Sequence, residues 1–186
     1  MKYTEGHYYH AYNRGAHKKK IFLERDNYLY LITLLAKYSA RYGVAVVAYC
    51  LMPNHYHLVL KQSDSGFIGM FLKTTFNAYT QAINKRFAKS GTLFQGQVNV
   101  KELDSDSYCL QAIRYIHLNP CSARIVDKPE DWLFSDYCEW IGIIGKSWTN
   151  LSLRDGYFKS PRDYKKFVDE YMAAKELNEL KKFLEQ

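Results

Sequence analysis

The sequence predicts an α+β fold in which an antiparallel four-stranded sheet is backed by two helices and followed by a third helix and a helical extension. Three features support this fold class. Two stretches repeat apolar residues at helical spacing, four stretches have the composition of strands, and the six alternate as strand, helix, strand, strand, helix, strand. The chain has 186 residues, of which 47% are hydrophobic and 24% charged. That is enough for one domain with its own core and an appendage.

The first strand and the first helix are separated by a basic loop. The strand is predicted over residues 7–13, which are rich in tyrosine, and the loop opens at Arg14-Gly15 and contains three consecutive lysines. Helical spacing begins at Asp26 and stops at Gly43, because glycine commonly ends a helix. The apolar residues that recur at three-residue steps in this helix are Leu29, Ile32, Leu35 and Tyr38.

A hairpin and a second helix complete the predicted sheet layer. Residues 44–52 are an almost continuous apolar run with β-branched side chains, which predicts a buried strand. Pro53-Asn54 is a turn signal, and residues 55–61 follow as the next strand. A second helix is predicted over residues 67–87 and a fourth strand over residues 98–103. This order of six elements is the ferredoxin-like arrangement.

A third helix follows the fourth strand. Asp104 or Ser105 caps its start, and it reaches about Leu118. Asn119-Pro120 is expected to end it, because the residue before a proline disfavours the helical conformation.

Residues 125–186 are predicted to form a mainly helical extension of the ferredoxin-like domain, which we assign to residues 1–124. The extension contains all three tryptophans and ends in a helix that begins at Ser160-Pro161. The apolar residues of that last helix are Tyr164, Phe167, Tyr171, Leu177, Leu180 and Leu184.

Charge and composition favour a polyanionic partner. The chain carries 26 basic and 19 acidic residues, a net charge of +7, and basic proteins attract nucleic acids. It also has 17 tyrosines, and aromatic faces interleaved with basic side chains suit unstacked bases. No apolar run approaches the roughly 18 residues needed to cross a bilayer, and the first ten residues lack the apolar core of a signal peptide. We therefore expect a cytoplasmic protein with no membrane partner, and its four unpaired cysteines are expected to be reduced.

The strongest local signal is the segment Asn54-His55-Tyr56-His57 at the start of the third strand. Side chains alternate across a strand, so His55 and His57 share one face while Tyr56 points to the other. Two neighbouring imidazoles can bind one metal ion, since histidine is the commonest metal ligand. Two histidines in a strand can equally be plain polar residues on a sheet face, so the pair needs support from elsewhere in the chain.

The third helix offers that support. Tyr115 and Asn119 are four residues apart, so they lie on one helical face. If this helix crosses the sheet face that bears the histidines, one site gains two nitrogens, an amide oxygen and a tyrosine nucleophile. This mixed set suits Mg²⁺ or Mn²⁺, with further positions for water and phosphate oxygens. The alternative is that Tyr115 is a core tyrosine and Asn119 a helix C-cap.

Four segments in order resemble a known family. They are YHAYNRG at the first strand, the HxH strand, GTLFQGQ, and the RYIxxNP helix. Together they look like single-tyrosine HUH transposases, and in particular like the REP-associated tyrosine transposase branch of the insertion-sequence-200-like group. The resemblance spans roughly residues 8–140.

The resemblance implies a role for each site residue. Tyr115 would be the nucleophile, His55 and His57 would be catalytic metal ligands, and Asn119 would complete the metal set. Members cleave single-stranded DNA, often near hairpins, and form a 5′-phosphotyrosine while leaving a free 3′-hydroxyl. The expected reaction is therefore transesterification without net hydrolysis, because covalent catalysis keeps the bond energy for the joining step.

Basic side chains near the site are the candidate DNA contacts. The first choices are Arg14, Lys18, Lys19, Lys20 and Arg114, and the second choices are Lys85, Arg86 and Lys89. The family often has arginine where this chain has Gln97, and Lys101 could compensate for that missing charge.

Two other functions stay open at this point. One is a nucleic-acid-binding regulator on the same fold that has lost catalysis, although the complete set of histidines, tyrosine and asparagine argues against it. The other is a metal-dependent hydrolase that uses water. In related insertion-sequence enzymes the tyrosine helix reaches a partner's histidines, whereas the REP-associated branch is expected to complete the site within one chain. The extended tail favours a monomer over a homodimer.

Overall fold

The sheet has four antiparallel strands in the order β2-β3-β1-β4, so β1 and β3 occupy its centre. The computed structural model describes residues 2–63, 66–145 and 148–172. The strands are β1 (Tyr8–Arg14), β2 (Val44–Met52), β3 (His55–Gln62) and β4 (Asn99–Leu103). This is the ferredoxin-like topology, and it confirms the predicted fold class.

Two helices, α1 (Arg25–Arg41) and α2 (Ile68–Arg86), pack on one face of the sheet. A capping box starts α1, because the side chains of Glu24 and Asn27 each accept from the other's backbone N–H. The side of α1 that is buried differs from the expected one, since Leu29 is 41% exposed. The buried apolar residues of α1 are Tyr28, Leu31, Leu34 and Leu35. Three-residue steps drift around a helix, so they do not mark a single buried stripe.

The opposite face of the sheet is covered by α3 (Asp106–Ser122), which Ser105 caps by accepting from the backbone N–H of Tyr108 at 3.2 Å. Three helices of the extension follow, namely α4 (Tyr137–Trp140), α5 (Ser152–Tyr157) and α6 (Pro161–Met172). Residues from the sheet, α3 and the extension form one apolar cluster on this side. The boundary at residue 124 stays a prediction. The apolar positions expected at 177, 180 and 184 lie outside the described residues.

The predicted end of α3 at Asn119-Pro120 is wrong. A proline lacks an N–H and its ring crowds the carbonyl four residues earlier, but the residues after it can still donate to helical carbonyls. The N–H groups of Ala123 and Ile125 donate to the carbonyls of Asn119 and Pro120, both at 2.9 Å, so the last turn still forms and α3 reaches Ser122. Asn119 is thus inside the helix and is not its C-cap. The boundaries of the four strands, in contrast, agree with the prediction to within one residue.

The extension protects the free edge of β2. An edge strand exposes unpaired backbone groups that invite pairing with other chains. Here Leu51 N–H donates to Phe134 O at 2.9 Å, and Asn150 N–H donates to Val46 O at 2.7 Å. The indole of Trp132 donates to Leu51 O at 3.1 Å. The extension therefore acts as a cover for this edge of the sheet.

Candidate active site

The alternation of β3 sends the two histidines toward α3. His57 is 3% exposed, and its ring centroid lies 5.9 Å from that of Tyr115 on α3. Tyr56 points to the other face, where it stacks on Phe76 with a centroid separation of 4.1 Å. The predicted sharing of one face by His55 and His57 is confirmed.

Each histidine of the pair is held through its Nδ1 atom. His55 Nδ1 lies 2.7 Å from Asn54 Oδ1, and the oxygen can only accept, so His55 carries its proton on Nδ1. His57 Nδ1 lies 3.0 Å from His10 Nε2. Nε2 is therefore the ring nitrogen through which either histidine would bind a metal.

α3 adds Tyr115 and Asn119 to the same cleft. Tyr115 is 2% exposed, and the side-chain amide of Asn119 donates to the carbonyl of Tyr115 at 3.3 Å. This bond engages the nitrogen of the amide and leaves its oxygen as the atom that can bind a metal. Tyr115 thus lies beside His57 of its own chain. The oligomeric state stays a prediction.

These residues fit a divalent ion. The ring centroids of His55 and His57 are 5.0 Å apart, so the two imidazoles are neighbours, and together with an amide oxygen they form a donor set of the kind that a divalent ion accepts. Within the described residues there is no cluster of three or more histidines, cysteines and acidic residues. Two imidazoles and one amide oxygen leave positions for water and phosphate.

The cleft around these residues has a volume of about 980 Å³. It is lined by Tyr12, Asn13, Arg14, Lys18, Asn54, His55, Tyr56, His57, Gln95, Gln97, Val98, Asn99, Tyr115, Asn119, Ser122 and Ala123. Among these described lining residues there are two permanent cations and no carboxylate. Such a surface attracts an anion such as a phosphodiester.

The basic loop after β1 is tied to the turn that precedes the histidine strand. Gly15 N–H donates to Asn54 O at 2.7 Å, and Ile21 N–H donates to Pro53 O at 2.9 Å. Between these ties the backbone has left-handed φ angles at two residues that are not glycine, 56° at His17 and 60° at Lys18. Strained backbone of this kind clusters at functional sites. The ties bring Lys18 to the edge of the cleft.

The predicted DNA contacts occupy different surroundings. Arg14 is exposed at the cleft, and its Nε donates to Gln95 Oε1 at 2.7 Å. Gln97 lines the cleft as well, whereas Lys101 lies outside that lining, opposite His10 in the pairing of β1 with β4. Lys19, Lys20, Lys85 and Lys89 are exposed. All of these stay predicted contacts.

Two of the predicted contacts are engaged elsewhere. The guanidinium of Arg114 lies 4.1 Å from the ring centroid of Phe167 and 3.6 Å from that of Tyr171, both on α6. Arg86 forms an ion pair with Glu24 at the start of α1. The structure thus gives Arg114 a packing role between α3 and α6, and its contact with DNA stays a prediction.

Sequence reasoning missed two side chains of the site. His10 is fully buried beneath His57, and burial, with a smaller effect from the charge of Lys101, lowers the pKa of His10 to about 3. Tyr12 lines the cleft, and its ring lies 5.9 Å from that of His57. Both residues precede the histidine pair by more than 40 positions. They come close to the pair only because β1 lies next to β3 in the sheet. The sequence did contain one signal: His10 and Tyr12 are two residues apart in the first strand, so their side chains point to the same face of the sheet.

Tyr79 on α2 is a second tyrosine within a helix, and it lies in the core between the sheet and α1 and α2. Its hydroxyl donates to Ile21 O at 2.8 Å on the face away from the cleft, and burial raises its pKa. Tyr79 is therefore a core residue.

His117, two residues after Tyr115 on α3, is fully buried and is held by side chains of the extension. Its Nδ1 lies 2.7 Å from the hydroxyl of Tyr164, and its Nε2 lies 3.0 Å from Asp136 Oδ1. Asp136 also accepts from the backbone N–H of Tyr49 and from the indole of Trp140. This buried network joins the helix that carries Tyr115 to β2 and to the extension.

A sequence profile of a transposase family matches residues 3–119 of the chain. The family is described as transposase IS200-like, and because the match covers more than half of the 186 residues, the chain belongs to it. This confirms the family-level resemblance drawn from the motifs. Membership implies a transposase-like function, with DNA cleavage and strand transfer. No curated protein matches the chain.

One solved structure supports the fold, and a second shows a weaker similarity. A REP-associated tyrosine transposase bound to a REP hairpin is similar to this chain, with a TM-score of 0.65, 16% identity, and coverage of 82% of this chain and 93% of that one. A putative transposase from Deinococcus radiodurans R1 has a TM-score of 0.44 and 21% identity, and covers 62% of this chain and 95% of that one. In the parts of the chain that the structure describes, no helix is long and apolar enough to span a membrane.

Proposed function

We propose that this protein cleaves and rejoins single-stranded DNA near hairpin or palindromic repeats through a 5′-phosphotyrosine formed on Tyr115. The observation that carries the proposal is the meeting of Tyr115 and His57 in one cleft, with ring centroids 5.9 Å apart. A nucleophile beside a metal-binding pair is the arrangement that phosphoryl transfer to a side chain requires.

The residues divide the reaction between them. The phenol of Tyr115 gives up its proton and attacks the phosphorus, a phosphotyrosine bond forms, and the bond to the 3′-oxygen of the leaving strand breaks. That oxygen takes up a proton, and a 3′-hydroxyl later attacks the phosphotyrosine to restore Tyr115. Mg²⁺ or Mn²⁺ held by His55, His57 and Asn119 would polarise the phosphate and offset its charge in the transition state.

The basic loop supplies the proposed DNA contacts. Lys18 lies at the cleft, and Lys19 and Lys20 continue the exposed cationic surface away from it. Cations along a groove bind a nucleic-acid backbone without regard to sequence. The solved REP-associated transposase was bound to a REP hairpin, and we propose a hairpin-bearing single strand as the substrate here.

The test is a covalent adduct. The chain is incubated with Mn²⁺ and single-stranded oligonucleotides that each carry a hairpin-forming palindrome, and the products are separated on a denaturing gel. A label at the 3′ end should travel with the protein, whereas a label at the 5′ end should appear in a shorter strand with a free 3′-hydroxyl. Tyr115→Phe should abolish the adduct, and Tyr12→Phe should retain it.

The remaining outcomes separate the other functions. Cleavage without any adduct would indicate a metal-dependent hydrolase, and tight binding without cleavage would indicate a nucleic-acid-binding regulator. An adduct that survives Tyr115→Phe and disappears in Tyr12→Phe would transfer the role of nucleophile to Tyr12.

A further inference from the structure

We propose that His10 is a positioning residue that holds His57 in the tautomer and orientation with which it binds the metal. The proposal rests on the proposed function, because it assumes that His57 is a metal ligand. It assigns a role to a buried residue on a different strand, 47 positions earlier in the chain.

The geometry is that of a directed hydrogen bond. His10 Nε2 and His57 Nδ1 are 3.0 Å apart, a normal distance for a nitrogen donor. The two ring planes are inclined by only 14°, with centroids 5.1 Å apart. These values agree with a hydrogen bond that runs between the edges of the two rings. The imidazole of His57 therefore cannot rotate about its Cβ–Cγ bond without losing this hydrogen bond.

The proton positions follow from the metal-binding atom. A neutral His57 that binds through Nε2 carries its proton on Nδ1, so His57 donates and His10 Nε2 accepts. His10 then carries its own proton on Nδ1. Partners of this kind fix the tautomer of a metal-binding histidine and raise its basicity.

The burial of His10 argues that it is not there for stability. Its side chain is fully buried, and its Nδ1 has no hydrogen-bond partner among the described residues. A buried polar atom without a partner is destabilising, and an apolar side chain of similar size would avoid that cost. Among the described residues, the hydrogen-bond partner of the His10 side chain is His57.

The second metal-binding histidine shows the same arrangement. His55 is held through Nδ1 by Asn54 Oδ1 at 2.7 Å. Asn54 is its neighbour in sequence, whereas His10 reaches His57 across the central strand pair β1 and β3. Both imidazoles are thus oriented by a side chain that binds Nδ1, and the two Nε2 atoms serve the metal.

The test measures metal affinity without DNA or catalysis. Mn²⁺ binding to the full chain is followed by the loss of the electron paramagnetic resonance signal of the free ion. His10→Leu should weaken Mn²⁺ binding by about 10- to 100-fold, the usual effect of losing such a partner. His10→Gln keeps an acceptor near Nε2 and should retain most of the affinity. His7→Leu is the control, since His7 is an exposed histidine paired with Glu102.

Stability gives a second readout. The melting temperature of His10→Leu should stay close to that of the wild type, because the variant removes the orphaned Nδ1 of His10 and leaves Nδ1 of His57 without its partner, so the two effects oppose each other. Wild-type Mn²⁺ affinity in a folded His10→Leu, together with loss of binding in His57→Ala, would overturn the proposal and leave the metal site standing. An equal loss of affinity in His10→Leu and His10→Gln would also overturn it. If wild type and His57→Ala bind Mn²⁺ equally poorly, the proposed metal site itself is wrong.

Discussion

The two faces of the sheet are built from different kinds of residues. The face toward α1 and α2 is aromatic and aliphatic, with Tyr28 stacked between Phe22 at 4.0 Å and Phe134 at 3.9 Å. The face toward α3 buries His10, His57, His117, Asn119 and Asp136, all at most 8% exposed. Burial of polar groups costs free energy that apolar packing must offset. One face is thus mainly an apolar core, whereas the other combines an apolar cluster with a structural polar network and the buried polar groups of the candidate site.

The largest expected effect comes from removing a ligand on the polar face. His57→Ala should lower the cleavage rate by at least about a thousandfold, since metal stabilisation of the transition state is worth several kcal/mol. Binding of single-stranded DNA should weaken by less than tenfold, because the cations of the basic loop stay in place. Single-turnover cleavage and fluorescence anisotropy measure the two effects. An equal loss of both would contradict the division between metal site and DNA-binding surface.

A substitution at Leu58, the residue after His57 on β3, tests the apolar face in the same way. Leu58 is fully buried against the core of α1 and α2, and Leu58→Ala should lower the free energy of unfolding by about 2–5 kcal/mol. The cleavage rate per folded molecule should change little. Urea denaturation and active-site titration separate these quantities. If Leu58→Ala instead abolishes cleavage while remaining folded, the two faces are not functionally distinct.

The sequence predicts the apolar face and the histidine pair better than the rest of the site. Alternation on a strand is a local property, so the common face of His55 and His57 follows from their spacing. The role of His10 cannot be predicted from spacing, because its contact with His57 depends on which strands are neighbours in the sheet. The predicted end of α3 before Pro120 was wrong, because a proline in the last turn does not stop the helix from reaching Ser122.

The contacts that anchor α3 could not be predicted from short stretches of sequence either. Arg114 has the charge of a DNA contact, yet it lies against Phe167 and Tyr171. His117 joins Asp136 and Tyr164, which lie 19 and 47 residues further along the chain. These contacts pair residues of α3 with the extension, and no short-range pattern encodes them. They fix the helix that carries Tyr115 from the side of the extension.

A smaller effect is expected where the basic loop folds back on the cleft. A Cβ at Gly15 would collide with the carbonyl oxygen of Lys19, so Gly15→Ala must displace the loop. Affinity for single-stranded DNA should fall by roughly tenfold, or about 1.4 kcal/mol. Gly156→Ala is the control, since nothing lies within 4 Å of a Cβ there. Unchanged affinity in Gly15→Ala would remove the loop from the binding surface.

The smallest effect should appear in the salt dependence of binding. Each phosphate that a cation neutralises contributes about 0.7 to the slope of log affinity against log salt for a single strand. Lys18→Ala should therefore flatten that slope by about 0.7. Lys37→Ala should leave it unchanged, because Lys37 is exposed on α1, behind the apolar face. Titrations over a range of salt concentrations measure both slopes. Equal flattening by the two variants would mean that the cations act through net charge alone, and the polar face would then have no special share in binding DNA.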